Sequence, residues 1–412
     1  MPGKGRIFPF ATLIPASFIF VLLFGLVTAG SARERGPRVE VVCPSPPIPV
    51  RIDKHQVLVY ELHVTNFDTV PLILKRLEVF ANEESSEPLI TLSDAALSAQ
   101  MMRVGEAMAM PTPGSRAAAK DARVIDPGGR SIIFVWIELQ PNRSVPTSLK
   151  HRIVFSPAAD GATDAPLEDF QVSVSQDSVP TLAPPFNGGT WLAGDGPDNN
   201  SNHRRAITAV DGHTYSAERF AIDWVKVGPN GDSHPDGATR NKNKNKNGDW
   251  WGWGEPVLAM ADGEITEVVD GIPDNTPRVL PPVTLDNIAG NHVVVQITPH
   301  RYVSYAHLQN GSIKVRLHDG VRRGDVLALL GNSGNTTGAH LHLQVTDRNS
   351  VLRSRSSLCS RSFLTWNRVP TTNLINTSRC RGQIQSHRGM RSSNSKRKSN
   401  LQQGRVSPQD CA

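Results

Sequence analysis

GNSGNTTGAHLHLQV, residues 331–345, sets two histidines one residue apart inside an alternating apolar stretch. Successive side chains of a strand point to opposite faces, and residues two apart lie about 6.6–7 Å from each other on one face. His340 and His342 therefore project together, while Leu341 and Leu343 face a core on the other side. Such a pair is either an exposed polar face or part of a metal site, in which one imidazole ligates and the other reaches a water or substrate. The pair alone does not choose between these.

Two further stretches bear on the choice. YVSYAHLQ, residues 302–309, ends an alternating segment on His307, and ERFAIDW, residues 218–224, buries Asp223 in an apolar run. A carboxylate in such a run is costly unless it is paired or ligates something. The plain alternatives are a salt bridge from Asp223 to Arg219 and a hydrogen-bonded structural role for His307.

The rest of the chain reads as mainly β. Its 412 residues suffice for two domains plus extensions, and 33 glycines and 31 prolines accompany many short apolar runs without a long amphipathic helical repeat. Residues 38–180 contain HQVLVYELHVTNF, PLILKRLEVF, GGRSIIFVWIEL and KHRIVFS, separated by turn-forming residues. That pattern predicts an antiparallel β-sandwich, with LSDAALSAQMMRVGEAMAM as a helix or a long loop. Residues 181–202 are rich in Pro, Gly and Asn and read as a linker. A second β-rich region follows over 203–347, in which EPVLAMADGEITEVVDG reads as two strands around an Asp-Gly turn. In the polar loop NKNKNKNGDWWGWG, Trp250, Trp251 and Trp253 read as packing for the loop.

Charge and location separate the ends from the body. After residue 350, twelve basic residues stand against one acid, Asp410, which leaves the remainder of this +6 chain at −5. The body therefore offers no nucleic-acid surface, and no nucleic-acid partner is expected. The Ser/Arg/Asn-rich tail, 350–412, reads as disordered; it holds three of the four cysteines, so no disulfide framework follows for the domains. At the other end Lys4 and Arg6 precede an apolar run from about Ile7 to Val27 and then VTAGSARER. Segment 1–32 thus reads as a signal peptide, cut after Ala29 or Ala32, or as an uncleaved membrane anchor. Either form predicts an exported protein of the periplasm, cell envelope or exterior.

Five stretches, WGEPVLAMADGEITEVVDG, GNHVVVQI, YVSYAHL, VRRGDVLALLGNSGNTTGAHLHLQV and the Asp223 segment, together resemble the M23 (LytM, lysostaphin-like) metallopeptidases over about residues 203–347. The resemblance implies a compact antiparallel β-sheet peptidase domain after the sandwich, a Zn2+ cofactor, and hydrolysis of peptide bonds in the stem or cross-bridge peptides of peptidoglycan. It also implies that Asp223 and His342 ligate the metal, and that His307 and His340 act on the attacking water or the oxyanion. Asn335 and Thr336 are candidate substrate-binding residues. Zinc bound by nitrogen and oxygen donors with one open position suits this chemistry.

The chain departs from the family in one place. The first family motif is HxxxD, and the histidine's position is occupied by Arg219, which on a continuous strand would share a face with Asp223. A guanidinium has no lone pair to give a metal, and two protein ligands fall short of the usual three. Three readings remain open. A replacement ligand comes from elsewhere, with His203 first and His213 and His234 behind it. Alternatively, Arg219 pairs with Asp223 and the domain is an inactive peptidoglycan-binding or hydrolase-activating relative. In the third, the site completes its metal coordination only with substrate. A protein whose sandwich carries the function at a membrane is a further, non-enzymatic alternative.

Overall fold

The structure, a computed structural model, describes residues 36–349 except 53–54, 83, 106–120, 177–179, 211, 235–245 and 285. The signal or anchor segment and the basic tail lie outside the described residues. Among those described, no helix is long and apolar enough to cross a membrane. All the elements below fall in the unit that begins at Pro37.

The first half is a sandwich of two antiparallel sheets. Its strands are β1 (Val39–Val42), β2 (Ile48–Ile52), β3 (His55–Asn66), β4 (Leu72–Phe80), β5 (Ile90–Ser93), β6 (Met101–Arg103), β7 (Val124–Ile125), β8 (Arg130–Glu138), β9 (Ser148–Pro157) and β10 (Ala165–Ser173). One sheet runs β1-β3-β8-β6 with β2 on β3; the other runs β10-β9-β4-β5 with β7 on β4. The stretch left open as helix or loop contains the short helix α1 (Asp94–Ala99) followed by β6.

The second half continues with β11 (Thr190–Gly194), the single helical turn α2 (Asn202–Arg205), β12 (Ile207–Val210), β13 (His213–Ser216), β14 (Ile222–Val227), β15 (Pro256–Leu258) and β16 (Gly263–Val269). It ends with β17 (Asn291–Thr298), β18 (Arg301–Leu308), β19 (Gly320–Val321), β20 (Val326–Leu329) and β21 (Leu341–Thr346). Seven of these form one antiparallel sheet in the order β11-β14-β21-β18-β17-β16-β19.

Two local expectations change. Part of segment 181–202, read as a linker, is strand β11, which pairs residue for residue with β14 from Thr190↔Val227 to Gly194↔Asp223. Its glycines serve a turn instead: Gly188 and Gly189 have φ of 74° and 81°. The stretch EPVLAMADGEITEVVDG is not a hairpin, because β15 pairs with β20 while β16 pairs with β17 and β19.

Strand β3 explains how the halves join. Ten consecutive residues, Val57 to Asn66, are buried, so both of its faces are covered. Leu58, Tyr60, Leu62 and Val64 belong to the sandwich core. Val57 and Val59, one residue out of phase, belong to the core that also contains Phe220, Ile222, Tyr305, Leu341 and Leu343 of the second half. Strand β8 repeats the pattern, with Val135 and Ile137 in the sandwich core and Trp136 packed against the other. The period of two therefore serves two cores from one strand.

Candidate metal centre

The register of the large sheet brings the centre together. Asp223 lies directly opposite His342 across β14 and β21, and His342 lies opposite Ala306 across β21 and β18. Directly opposed residues share a face, so Asp223 and His342 meet on the face away from Leu341 and Leu343. Asp223 Oδ1 is 3.1 Å from His342 Nδ1 and 3.4 Å from His340 Nε2.

His307 reaches the same place by a different route. Strict alternation would turn it from Ala306's face to the core face of Tyr305. Its φ of 63° breaks the alternation, and its ring lies 4.8 Å from that of His340 and 5.8 Å from that of His342. A left-handed backbone at a non-glycine residue costs on the order of 1–3 kcal/mol and persists where surrounding structure enforces it. Here the enforcing bonds are His307 N–H to the Ala289 carbonyl and Gly331 N–H to the His307 carbonyl.

His203 comes from α2, outside the sheet. Its Nε2 is 3.5 Å from Asp223 Oδ2, and its ring stands edge-on to His342 at 4.9 Å. The other ring nitrogen, Nδ1, lies 2.8 Å from the Asp195 carbonyl, which can only accept a hydrogen bond. In the neutral ring, Nδ1–H donates there and Nε2 aims a lone pair at a carboxylate oxygen. Two facing lone pairs repel unless a cation lies between them. His203, Asp223 and His342 each offer a donor atom, all within 4.8 Å of one another. Two ligands ~2.0–2.1 Å from a tetrahedral zinc stand about 3.3 Å apart, close to the 3.1 and 3.5 Å found. This donor set fits zinc.

The electrostatics divide the histidines. Burial would raise the Asp223 carboxyl, but His340 and His342 outweigh it and hold Asp223 well below the usual carboxylate range. Burial likewise works against the charged forms of His340 and His342, yet Asp223 raises both. His307 moves the other way: burial, with His340 and His342 beside it, drives it well below the usual histidine range. Its Nδ1 is 2.8 Å from the Ser333 carbonyl, so the neutral ring donates there and keeps Nε2 free to accept a proton.

The remaining candidates fall elsewhere. Arg219 is not on a strand beside Asp223; it sits in the turn before β14 and points away from the metal cluster, onto Glu61 of β3. The Arg219–Asp223 pair of the second reading is therefore absent, and the partners of Asp223 are His203, His340 and His342. His234 accepts a hydrogen bond from Arg278 at 2.8 Å and abuts Trp250. His213 lies in β13, paired with Val210. Asn335 is exposed, whereas Thr336 is buried and its hydroxyl engages Asn332, Gly338 and His340 Nδ1 at 2.8–3.1 Å. Thr336 thus braces His340 and has no free hydroxyl for a substrate. Trp250 and Trp253 pack on the core, whereas Trp251, read with them as packing for the loop, is exposed.

Three neighbours escaped the sequence reading. Glu218 Oε1 lies 3.9 Å from His342 Nε2. Glu61 and Arg204 form a buried ionic cluster with Arg219 just behind α2. The signal for Glu61 was a carboxylate in the middle of the long strand HQVLVYELHVTNF, where it must be paired.

Residues 251–353 match the model of peptidase family M23. Endolysin 2638A of Staphylococcus phage 2638A is 34% identical over 77 residues, 18% of this chain and 16% of the endolysin. An uncharacterized metalloprotease of Buchnera aphidicola is 29% identical over 103 residues, 25% of this chain and 23% of that protein. The chain thus spans about a sixth and about a quarter of the lengths of these two relatives. Among solved structures, the catalytic domain of lysostaphin from Staphylococcus simulans is 18% identical over 35% of this chain and 75% of its own, with a TM-score of 0.20. The stretch matched by the family M23 model, residues 251–353, carries His307, His340 and His342.

Proposed function

We propose that the protein is an exported zinc metalloendopeptidase that hydrolyses peptide bonds in peptidoglycan stem or cross-bridge peptides. The observation that carries the reading is the convergence of His203 Nε2, the Asp223 carboxylate and His342, with His203 held by Asp195 in the tautomer that a ligand needs. It supports the first of the three readings of the Arg219 position, a replacement ligand at His203. The substrate class rests on the family resemblance, and export on the N-terminal pattern.

His203, Asp223 and His342 would hold the zinc, which supplies Lewis acidity that polarises a carbonyl and lowers the pKa of water. His307 is the base: neutral, fixed by the Ser333 carbonyl, with Nε2 open to accept a proton from the attacking water. His340 is held at Nδ1 by the Gly338 carbonyl at 2.9 Å and kept proton-rich by Asp223. It is placed to donate a hydrogen bond to the oxyanion that forms when the peptide carbonyl is attacked.

Zinc content and cleavage of purified peptidoglycan by the full chain test the proposal. About one tightly held zinc per chain, lost in His342→Ala and His203→Ala, is the expected result. A protein that neither holds zinc nor releases muropeptides is the inactive binding or activating module, and the enzyme reading falls. Unchanged zinc affinity in His203→Ala would remove His203 from the ligand set.

A further inference from the structure

The cluster behind α2 does more than bury charge. Arg204, the residue after His203, is fully buried and spends its guanidinium entirely on the sandwich side of the molecule. Nη1 donates to Glu61 Oε1 at 2.6 Å, Nη2 to the Tyr60 and Val135 carbonyls at 3.0 Å each, and Nε to Asn199 at 2.7 Å. The other oxygen of Glu61 takes Arg219 Nη2, and Arg219 also donates through Nε to Oε1 at 3.1 Å. Neighbouring side chains of a helical turn diverge by about 100°. Fixing Arg204 against β3 and β8 therefore aims His203 at Asp223.

Nothing within α2 does this alone. The element is four residues long, with no side-chain cap at its N-terminus, too short to hold its own geometry in water. It is tied to the rest of the protein by Asp195, whose carbonyl accepts from His203 Nδ1 at 2.8 Å and whose carboxylate accepts from Asn202 at 2.8 and 2.9 Å, by the bonds of Arg204, by the Ser216 hydroxyl on the Arg204 carbonyl at 2.9 Å, and by Arg205 on Ala99 of the sandwich at 2.9 Å. The cluster is also unbalanced, with two buried guanidiniums on one carboxylate. A cation in this setting holds its place only while the carboxylate is there.

From this geometry we infer that Glu61, acting through Arg204, is a positioning residue of the metal centre, so that the sandwich supplies the placement of the third ligand. The inference rests on the zinc reading above and deepens it. Arg219 has its own part in the arrangement. At the position where the family carries a histidine, it is the second cation on Glu61, so the exchange of ligand and the recruitment of the sandwich are one structural change.

The test compares zinc affinity, by chelator competition, and the visible absorption of the cobalt-substituted full chain in four variants. Arg204→Met leaves Glu61 paired with Arg219, and Glu61→Gln keeps a hydrogen-bonding side chain. Leu74→Ala empties part of the sandwich core from β4, in the sheet that does not contain β3 and β8, as a control for destabilisation; His203→Ala reports on the ligand itself. Arg204→Met and Glu61→Gln should weaken zinc binding about 10- to 100-fold, the usual effect of losing a residue that orients a ligand, and alter the cobalt spectrum. Leu74→Ala should lower the melting temperature and leave both metal readouts alone. Wild-type zinc affinity in Arg204→Met and Glu61→Gln, with His203→Ala deficient, overturns the positioning role and leaves the zinc reading standing. An equal loss in Leu74→Ala also overturns it, by showing a general effect of instability. Wild-type affinity in His203→Ala removes the ligand and the inference together.

Discussion

Two buried polar clusters lie back to back, joined by the peptide bond between His203 and Arg204. On one side Glu61 pairs with Arg204 and Arg219, groups the chain itself supplies, and Arg219 Nη1 stays without a partner. On the other, His203, Asp223 and His342 crowd donor atoms within 4.8 Å. The contrast separates what a fold needs from what a site needs. The ionic cluster is closed, its carboxylate already facing two cations of the chain, whereas the donor cluster is open, with a geometry that a metal ion fits. Both contain buried carboxylates, so burial of an acid does not distinguish them. The distinguishing mark is whether the facing groups are guanidiniums, which cannot ligate a metal, or imidazoles, which can.

The largest expected effect comes from breaking the closed cluster. Glu61→Ala leaves two buried guanidiniums without their carboxylate and should cost on the order of 3–5 kcal/mol in denaturant melts. Replacing all three residues by apolar ones, Glu61→Leu with Arg204→Met and Arg219→Met, should recover most of that stability while zinc affinity stays low. Recovery of both would mean that apolar packing alone can aim His203.

Breaking the open cluster at its base acts on rate and not on metal. His307→Ala should lower kcat about 10²- to 10⁴-fold with zinc content unchanged, as measured by metal analysis alongside muropeptide release. A variant that loses its zinc would show instead that His307 helps to hold the site.

Acid sharpens the comparison. His63, two residues from Glu61 on β3, is pushed down to about 4, chiefly by burial, against a raising influence from Glu61. The unfolded chain takes up this proton near pH 6.5 and the folded chain only near 4. The stability contributed by neutral His63 is therefore present above 6.5 and lost as pH falls toward 4, by ~3 kcal/mol at pH 4. His63→Asn, which keeps a partner for the Thr214 hydroxyl at 3.1 Å in the wild type, should flatten that acid limb in melts across this range.

The smallest effect concerns the loop that braces His340. A Cβ on Gly338 would come within 2.3 Å of the Trp250 ring, so Gly338→Ala should cost about 1–3 kcal/mol and shift the tryptophan fluorescence. An unchanged emission spectrum would show that Trp250 is free to move.

Much of this was legible in the residues, and the failures have a common cause. The β class and the sandwich followed from alternation and turns, and Asp223, His307, His340 and His342 were marked by polar chemistry in apolar runs. The geometry of His307 was not legible, since alternation places it on the wrong face and the left-handed backbone that corrects this has no local signature. Arg219 was misread because a strand was extended through 219–221, where the chain is still turning into β14 at Ile222. The linker reading of 181–202 failed because glycine and proline mark a turn and an edge strand as readily as a spacer. Glu61 was missed for want of a partner nearby: Arg204 and Arg219 are 143 and 158 residues away in sequence. Long-range pairing of charges is a property of topology, and local patterns carry little of it.

Strand β3 behaves as a party wall. With Leu58 and Tyr60 in one core and Val57 and Val59 in the other, neither side can melt without exposing the back of the same strand. In a calorimeter the two halves should therefore share a single cooperative transition. A variant that replaced one of the two halves in this chain would have to rebuild the wall as well.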